Sequence, residues 1–508
     1  MFEKSLLNAF NRHQKYTPDL QENVEGTLTG GYSIFPRTRV VEGEAPEKIM
    51  VKGPIKASRF NSFVPYEDQL VAFNAFTQKF LVLDPVLVDL LNAAVLENDF
   101  PGLSDLHPSF YQELVNTGFL VEETTDELQK VIDLRNEVDF ADDHYSLVIN
   151  PTMNCNFKCW YCYESHIKGS KMNDETMEKI QHHISHIMET RPELKSFSIS
   201  WFGGEPMLYY DAVVEPIIKF ASQKAAQHGI HFETGFTSNG YMIRERMMPI
   251  FKAYNVNRFQ ITLDGVKEKH NTVRYTASKK GTFDKIVENI KLLCKNQIRV
   301  TVRINYTEET LDRIEELIPE FSDLKESEKE YILFSFHNVW QEKKPNTLKL
   351  EKIITNFRKH DFTTDSLFTS FDTLRDSCYA DKKNQATINY DGEVFKCTAR
   401  DFKADEREGV MTEEGAIVWN EKYEKRMNSK FNNSPCLSCR IQPICNGGCS
   451  QQSMENIGSD YCVVEATGME KNDIIVSRFK QILEVQAIRR SKLVRRINQI
   501  NRGMLQPA

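Results

Sequence analysis

Three cysteines stand close together in the stretch NPTMNCNFKCWYCYESH, Asn150 to His166: Cys155, Cys159 and Cys162, spaced C-x3-C-x2-C. Thiols so placed suit a zinc site, half of a disulfide framework, thiol redox exchange, or an iron–sulfur cluster with one iron left bare. Structural zinc takes four ligands in paired spacings. No fourth cysteine or histidine stands at ligand spacing here, His166 being the nearest candidate. Three thiolates on a [4Fe–4S] cube hold three irons and leave the fourth open to another ligand. Two further features suit an amino acid as that ligand. The run GGEP (Gly203–Pro206) offers exposed backbone groups and the carboxylate of Glu205 for an ammonium. Arg274 offers a guanidinium, which pairs with a carboxylate in two parallel hydrogen bonds.

The chain has eleven cysteines: these three, Cys294 alone, and seven between Cys378 and Cys462, with none in the first 154 residues. The opening MFEKSLLNAFNRHQKY has neither an apolar core nor a small-residue cleavage site, and no run approaches the roughly 20 apolar residues of a membrane span. The expectation is therefore a cytoplasmic protein with no membrane partner. Thiols are kept reduced in the cytosol, so clustered cysteines there point to metal. A net charge of −8 over 508 residues argues against nucleic acid as a partner. The basic run RRSKLVRR, Arg489–Arg496, reads as a solvated helix face.

The length calls for two to four domains. Six strand patterns alternate with helical ones: YSLVIN (Tyr145–Asn150), FSISWF (Phe197–Phe202), HFETGF (His231–Phe236), RFQITL (Arg258–Leu263), RVTVRIN (Arg299–Asn305) and YILFSF (Tyr331–Phe336). The first helix is expected from an Asn173 cap, with Met177, Ile180, Ile184 and Ile187 on one face. Six βα units imply an α/β fold with a parallel sheet, doubly wound or a partial barrel. Every polar or glycine-rich feature follows a strand: the cysteines, GGEP, TSNG (Thr237–Gly240), LDG (Leu263–Gly265), RIN, and His337 with Asn338. Parallel barrels build active sites at that end. Residues 1–140 show short β-like runs, Asn61–Tyr66, Leu70–Ala75 and Lys79–Asp84, then helical patterns near Pro85–Leu96 and His107–Thr117 and a short GFLV strand, as a winged-helix-like module would. A C-terminal helix is expected from Asn472 to about Asn501.

On these residues the chain resembles the radical S-adenosylmethionine (radical SAM) superfamily. Cys155, Cys159 and Cys162, with Tyr161 before the third cysteine, match its C-x3-C-x-aromatic-C signature; GGEP matches its motif for the SAM amine; ITLDGVKEKHNTVR (Ile261–Arg274) is similar to a segment of its peptide-modifying branch. The resemblance implies a partial (β/α)6 TIM barrel over 141–345 and a SAM-binding [4Fe–4S] cluster. It gives Tyr161 to adenine, Gly203, Gly204 and Glu205 to the methionine amine, and Thr262 and Arg274 to its carboxylate. Ser238, Asn239 and Arg303 fall to the ribose and adenine. The activity implied is one-electron cleavage of SAM to a 5′-deoxyadenosyl radical that takes hydrogen from an unactivated C–H bond.

The second cysteine set, Cys378, Cys397, then Cys436-x2-Cys439-x5-Cys445-x3-Cys449 and Cys462, resembles the SPASM domain (370–470). That likeness implies two auxiliary [4Fe–4S] clusters. Cys378, Cys397 and Cys449 would hold one, its fourth ligand open; Cys436, Cys439, Cys445 and Cys462 would hold the other. Zinc is the competing reading of the C-x2-C pair, and Cys294 reads as a buried free thiol. SPASM enzymes include peptide maturases that form thioether or C–C crosslinks, sulfatase maturases that make formylglycine, and small-molecule enzymes. Sulfatase maturases carry a basic aspartate right after the cysteine matching Cys397, where this chain has Thr398. The N-terminal module resembles a leader-peptide recognition element, which adds a peptide strand to a sheet edge. The expectation is a radical SAM peptide maturase acting on a ribosomal precursor, with a flavodoxin or ferredoxin as electron donor. An iron–sulfur scaffold or sensor is the alternative outside enzymes.

Overall fold

The computed structural model describes residues 53–339, 347–365, 373–399, 401–466, 470–484 and 486–487. The basic run Arg489–Arg496, the first 52 residues and the end of the expected C-terminal helix lie outside them. The chain divides into two compact units.

One unit comprises Met1–Leu134, Phe368–Asp376 and Lys430–Ala508. It opens with β1 (Ile55–Ala57), then a meander of β2 (Asn61–Tyr66), β3 (Gln69–Asn74) and β4 (Lys79–Leu83), all antiparallel. Three helices follow, Pro85–Glu97, Phe100–Leu106 and Pro108–Asn116, and then β5 (Leu120–Glu122). β5 pairs with β1, Ile55 opposite Glu122, a strand the sequence pattern does not announce. Each helix starts with proline in its first turn, where the missing N–H costs nothing. Phe100, Phe110, Leu114 and Phe119 fill the core beneath. A helix from 471 to 484 sets Phe479 against Tyr66 and Phe80, at ring-centroid distances of 5.3 and 5.4 Å.

The other unit comprises Arg135–Leu367 and Ser377–Ser429. The cysteine-rich segment is thus shared, with Cys378 and Cys397 here and the later cysteines in the first unit. All six anticipated strands form: β6 (His144–Ile149), β8 (Ser196–Trp201), β9 (His231–Ser238), β10 (Val256–Leu263), β12 (Arg299–Tyr306) and β13 (Ile332–Asn338). They lie parallel in sequential order. No reversal of strand order, as in a doubly wound sheet, occurs among them. Two short additions, β7 (Phe157–Lys158) and β11 (Tyr275–Thr276), pair with each other. At one edge β14 (Thr363–Thr364) joins β13. At the other, β15 (Gln385–Ile388) pairs parallel with β6, and β16 (Glu393–Phe395), β17 (Gly409–Met411) and β18 (Ile417–Trp419) continue antiparallel, making eleven strands.

The first helix runs Asp174–Thr190, and the Asn173 side chain accepts from Thr176 N (2.8 Å) as the expected cap. Ile180, Ile184 and Ile187 are buried along one face with His183. Cys294 is buried at 1% exposure on the helix Phe283–Lys295.

Candidate active site

The loop after β6 carries Cys155, Cys159 and Cys162, and local hydrogen bonds fix its path. Thr152 Oγ1 donates to Ser170 O (2.6 Å) and accepts from Asn154 N (2.9 Å), while Met153 N donates to Ser170 Oγ (2.9 Å). β7 lies inside the loop and pairs with β11, directly after Arg274, so the cysteines and the arginine segment are tied by backbone hydrogen bonds. The Cys155 thiol feels those of Cys159 and Cys162; burial, then nearby negative charge, pushes it up to about 12, and Cys162 to about 11. Such thiols keep their protons until a metal displaces them. His166 Nε2 sits 3.4 Å from Cys162 Sγ.

Gly203 and Gly204, at φ +76° and +36°, press the GGEP turn onto this loop. A Cβ on Gly203 would lie 2.7 Å from Asn150 Cβ; one on Gly204 would lie 2.2 Å from the Asn154 carbonyl oxygen. Both positions require glycine sterically as well as conformationally.

Glu205 is engaged within the chain. Its side chain is fully buried, and three protein donors already reach it: Ser238 Oγ (2.8 Å) and Met207 N (3.0 Å) on Oε1, Asn239 N (2.7 Å) on Oε2. A carboxylate offers about four lone-pair sites, so this one chiefly joins the turn after β8 to the end of β9. Burial raises its pKa against these hydrogen bonds. Asn239 in turn donates from Nδ2 to Asn156 Oδ1 (2.7 Å) in the cysteine loop.

Arg274 is likewise engaged within the chain. Its carboxylate partner in the folded chain is Asp264 at the end of β10, and both side chains are buried, 11% and 5% exposed. Tyr161 OH completes the cluster: it donates to Asp264 Oδ1 (2.5 Å) and accepts from Arg274 Nη2 (2.7 Å) and Asn305 Nδ2 (3.2 Å). Arg303 Nε donates to Asn305 Oδ1 (3.0 Å), and Thr262 stands opposite Arg303 in the β10–β12 register. The parallel strands thus bring Tyr161, Thr262, Arg274 and Arg303 to one rim. Asp264 and Asn305 are the members the sequence reading missed. Their signal was there, since both lie near strand ends inside the noted LDG and RIN runs. Glu164 was missed too: burial, opposed by the Gly204 N–H, pushes its carboxyl up to about 8.

In the same unit, Cys378 and Cys397 both act electrostatically on Tyr379, whose hydroxyl meets Thr398 Oγ1 (2.7 Å) and accepts from Thr398 N (2.9 Å). Beside Cys397, the buried Lys396 donates from Nζ to Gln385 O (2.7 Å) and lies 5.6 Å from the Trp419 ring centroid. Burial holds its ammonium down to about 7.

In the other unit, burial and then Cys439 and Cys462 push Cys436 up to about 11, and burial and then Cys439 and Cys436 push Cys445 up to about 12. Lys430 Nζ donates to Asn446 O (3.0 Å) and to Gly448 O, pinning the CNGGC turn. A Cβ on Gly448 would lie 2.7 Å from Val463, next to Cys462. Among the described residues no three His, Cys, Asp or Glu side chains converge as they would on a single metal ion.

The family profile described as "Radical SAM superfamily" matches residues 149–319, from the end of β6 through the cysteine loop, GGEP and Arg274. The chain carries a radical SAM domain. Curated relatives extend the likeness. A cysteine-type anaerobic sulfatase-maturating enzyme of Clostridium novyi is 24% identical over 68% of this chain and 98% of its own length. The radical SAM cyclopropyl synthase TigE of Paramaledivibacter caminithermalis is 20% identical over 72% and 80%. An uncharacterized protein of Synechocystis is 30% identical over 35% of this chain, which spans 44% of that relative's length. Among solved structures, anSMEcpe with bound AdoMet has a TM-score of 0.46 at 21% identity, covering 60% of this chain and 89% of that one. Streptococcus suis SuiB bound to precursor peptide SuiA has 0.44 at 15%, covering 78% and 95%.

A radical SAM domain implies a [4Fe–4S] cluster and SAM, and the donor set fits both. Three thiols stand in one loop, Cys155 within electrostatic reach of Cys159 and Cys162, and the sequence of that loop brings no fourth cysteine. Two glycines that admit no side chain leave backbone polar groups at the turn. Among the described residues no helix is long and apolar enough to cross a membrane.

Proposed function

We propose that the chain is a radical SAM peptide maturase that forms a thioether or C–C crosslink in a ribosomally made precursor. The observation that carries the radical half is the pressing of Gly204 onto Asn154, which puts the GGEP turn against the three-cysteine loop. When bound, the cluster and SAM supply a 5′-deoxyadenosyl radical able to take hydrogen from an unactivated C–H bond. The cluster falls to Cys155, Cys159 and Cys162. The backbone of Gly203 and Gly204 receives the methionine amine, and Glu205 holds that backbone in place. Thr262 and the Arg274 donors not spent on Asp264 and Tyr161 receive the carboxylate. Tyr161 lies along the adenine, and Ser238, Asn239 and Arg303 line the nucleoside side.

The six sequential parallel strands support a partial (β/α)6 barrel with its working rim at their C-terminal ends. The mutual electrostatic reach of Cys436, Cys439, Cys445 and Cys462 supports one auxiliary cluster, and the Tyr379-linked pair Cys378 and Cys397 supports another. The meander β2–β3–β4, whose outer strands are open on one side within their sheet, supports leader binding by strand addition. An electron donor of flavodoxin or ferredoxin type and a cytoplasmic setting complete the reading.

A sulfatase-type maturase is the second reading, favoured by the C. novyi relative along nearly its whole length. Thr398, whose hydroxyl and backbone N–H are both engaged with Tyr379, counts against it.

The test is anaerobic reconstitution followed by reduction with SAM present. Release of 5′-deoxyadenosine is expected, and none would overturn the radical reading. Deleting residues 1–140 should abolish precursor binding; unchanged affinity would remove leader recognition and leave the radical chemistry standing.

A further inference from the structure

We propose that His337, Ser335 and Asp365 form a proton relay at the rim of the barrel, with His337 Nδ1 taking the proton of a substrate thiol. The proposal rests on the peptide-maturase reading and names its missing base. A base is needed because Thr398, after Cys397, brings no group that titrates near neutrality.

The position follows from register. Parallel pairing of β12 with β13 sets Arg303 opposite Ser335 and Asn305 opposite His337. Alternate residues share a sheet face, so these four stand in one patch. Asn305 in turn donates to Tyr161 OH (3.2 Å) of the cysteine loop. His337 therefore stands one strand from a residue that touches that loop.

The direction of the relay follows from counting hydrogens. His337 Nε2 lies 2.7 Å from Ser335 Oγ, and Ser335 Oγ donates to Asp365 Oδ2. A serine hydroxyl has one hydrogen to give. With that spent on the carboxylate, Nε2 must be the N–H and Nδ1 must carry the lone pair. Asp365 is held from two further sides: Phe336 N donates to Oδ1 (3.3 Å) and Arg358 Nη2 to its backbone oxygen (3.3 Å). Ser335 and Asp365 are 2% and 6% exposed while His337 is half-buried, so the chain leads from the open rim into the sealed core.

The charges around it agree. Burial and the neighbouring Arg303 hold the His337 imidazole down to about 3, and burial pushes Asp365 up to about 6. A proton arriving at Nδ1 thus passes on instead of resting on the ring. In the step, the substrate S–H bond breaks and Nδ1–H forms; Nε2–H passes to Ser335 Oγ, whose own proton goes to Asp365 Oδ2. No electron moves. The imidazole ends neutral, Asp365 ends protonated, and the thiolate is left beside the Arg303 cation.

Histidine-15N-labelled, reconstituted protein with its clusters oxidised is compared by long-range proton–nitrogen NMR with His337→Gln and Ser335→Ala. Circular dichroism and iron content check that each variant folds. Expected is one imidazole, absent from His337→Gln, held as the neutral Nε2–H tautomer from about pH 6 to 9 and released to a mixture in Ser335→Ala. An Nδ1–H tautomer, or no response to Ser335→Ala, overturns the proposal. With a thiol-bearing peptide that the wild type turns over, His337→Gln and Asp365→Asn should lower product per 5′-deoxyadenosine about tenfold or more at unchanged KM. Ser335→Thr, which keeps the hydroxyl, should retain the ratio that Ser335→Ala loses. An unchanged ratio in His337→Gln overturns the relay. Failure of the radical reading shows differently, as no 5′-deoxyadenosine from the wild type.

Discussion

Asp264 and Arg274 close a buried ion pair that Tyr161 caps from the cysteine loop, so one carboxylate organises three separate segments of the rim. The guanidinium that a sequence reading hands to a bound carboxylate already has one within the chain. What it offers a ligand is the remainder of its five donors.

Replacing Asp264 by asparagine should therefore cost about 3 kcal/mol of stability, because it strands a buried cation without its counter-charge. Chemical denaturation of the variant measures this. A loss below about 1 kcal/mol, the range of exposed pairs, would mean that Arg274 finds water or another acceptor.

Gly204→Ala should weaken SAM binding by about tenfold or more while the iron bound at Cys155, Cys159 and Cys162 stays. The added methyl meets the Asn154 carbonyl at 2.2 Å in a backbone conformation that disfavours side chains, a strain of about 1–3 kcal/mol. Equilibrium dialysis with labelled SAM reads the effect, and wild-type affinity would show that the turn can withdraw from the loop at little cost.

Glu205→Gln should be destabilising by about 1–3 kcal/mol although it preserves shape. Both carboxylate oxygens accept from protein donors, so the amide must turn its NH2 toward one of them and leave a buried donor unmet. The denaturant midpoint of the variant decides it, with Ser238→Ala as the milder comparison.

Acidification should weaken the unit that holds the six parallel strands, through His183 and His270. Burial lowers His183 from 6.5 to about 4 and His270 to about 3. The unfolded chain takes up these protons near 6.5 while the folded chain refuses them. The stability carried by the neutral rings is whole above that pH and is lost as pH falls toward 4, by up to ~1.4 kcal/mol per unit per group. Unfolding midpoints at about pH 7 and about pH 5 measure the slope. His183→Gln should flatten it, and a slope that does not change would assign the acid sensitivity elsewhere.

Alanine at both Cys436 and Cys445 should remove about a third of the bound iron and sulfide if three four-iron clusters are present. Iron and sulfide assays on the reconstituted protein count this directly. Full iron content would end the assignment of that cysteine group.

The six parallel strands were legible because each carries buried apolar residues, most of them alternating with half-buried ones, between helical periods. The rim was legible because parallel strands deliver their C-terminal ends to one place. β1, β7 and β15–β18 were not. They are two to four residues long, too short to show a period, and long-range pairing makes them strands. The same limit applies to the site. Residue types singled out Glu205 and Arg274, yet only three-dimensional neighbours reveal that Ser238, Asn239 and Asp264 bond to them within the chain. Asp264 lay inside a noted motif without a role, because a carboxylate's use depends on who faces it.

The ladder between β6 and β15 has a bearing on how the molecule is made. Asn150 and Asn389, whose side chains touch across it at 3.4 Å, are 239 residues apart in the chain. During synthesis β6, the strand that leads into the cysteine loop, therefore waits with one edge uncovered until all six parallel strands have left the ribosome. Completion of the strand pair that supports that loop is thus set late by the chain's own topology.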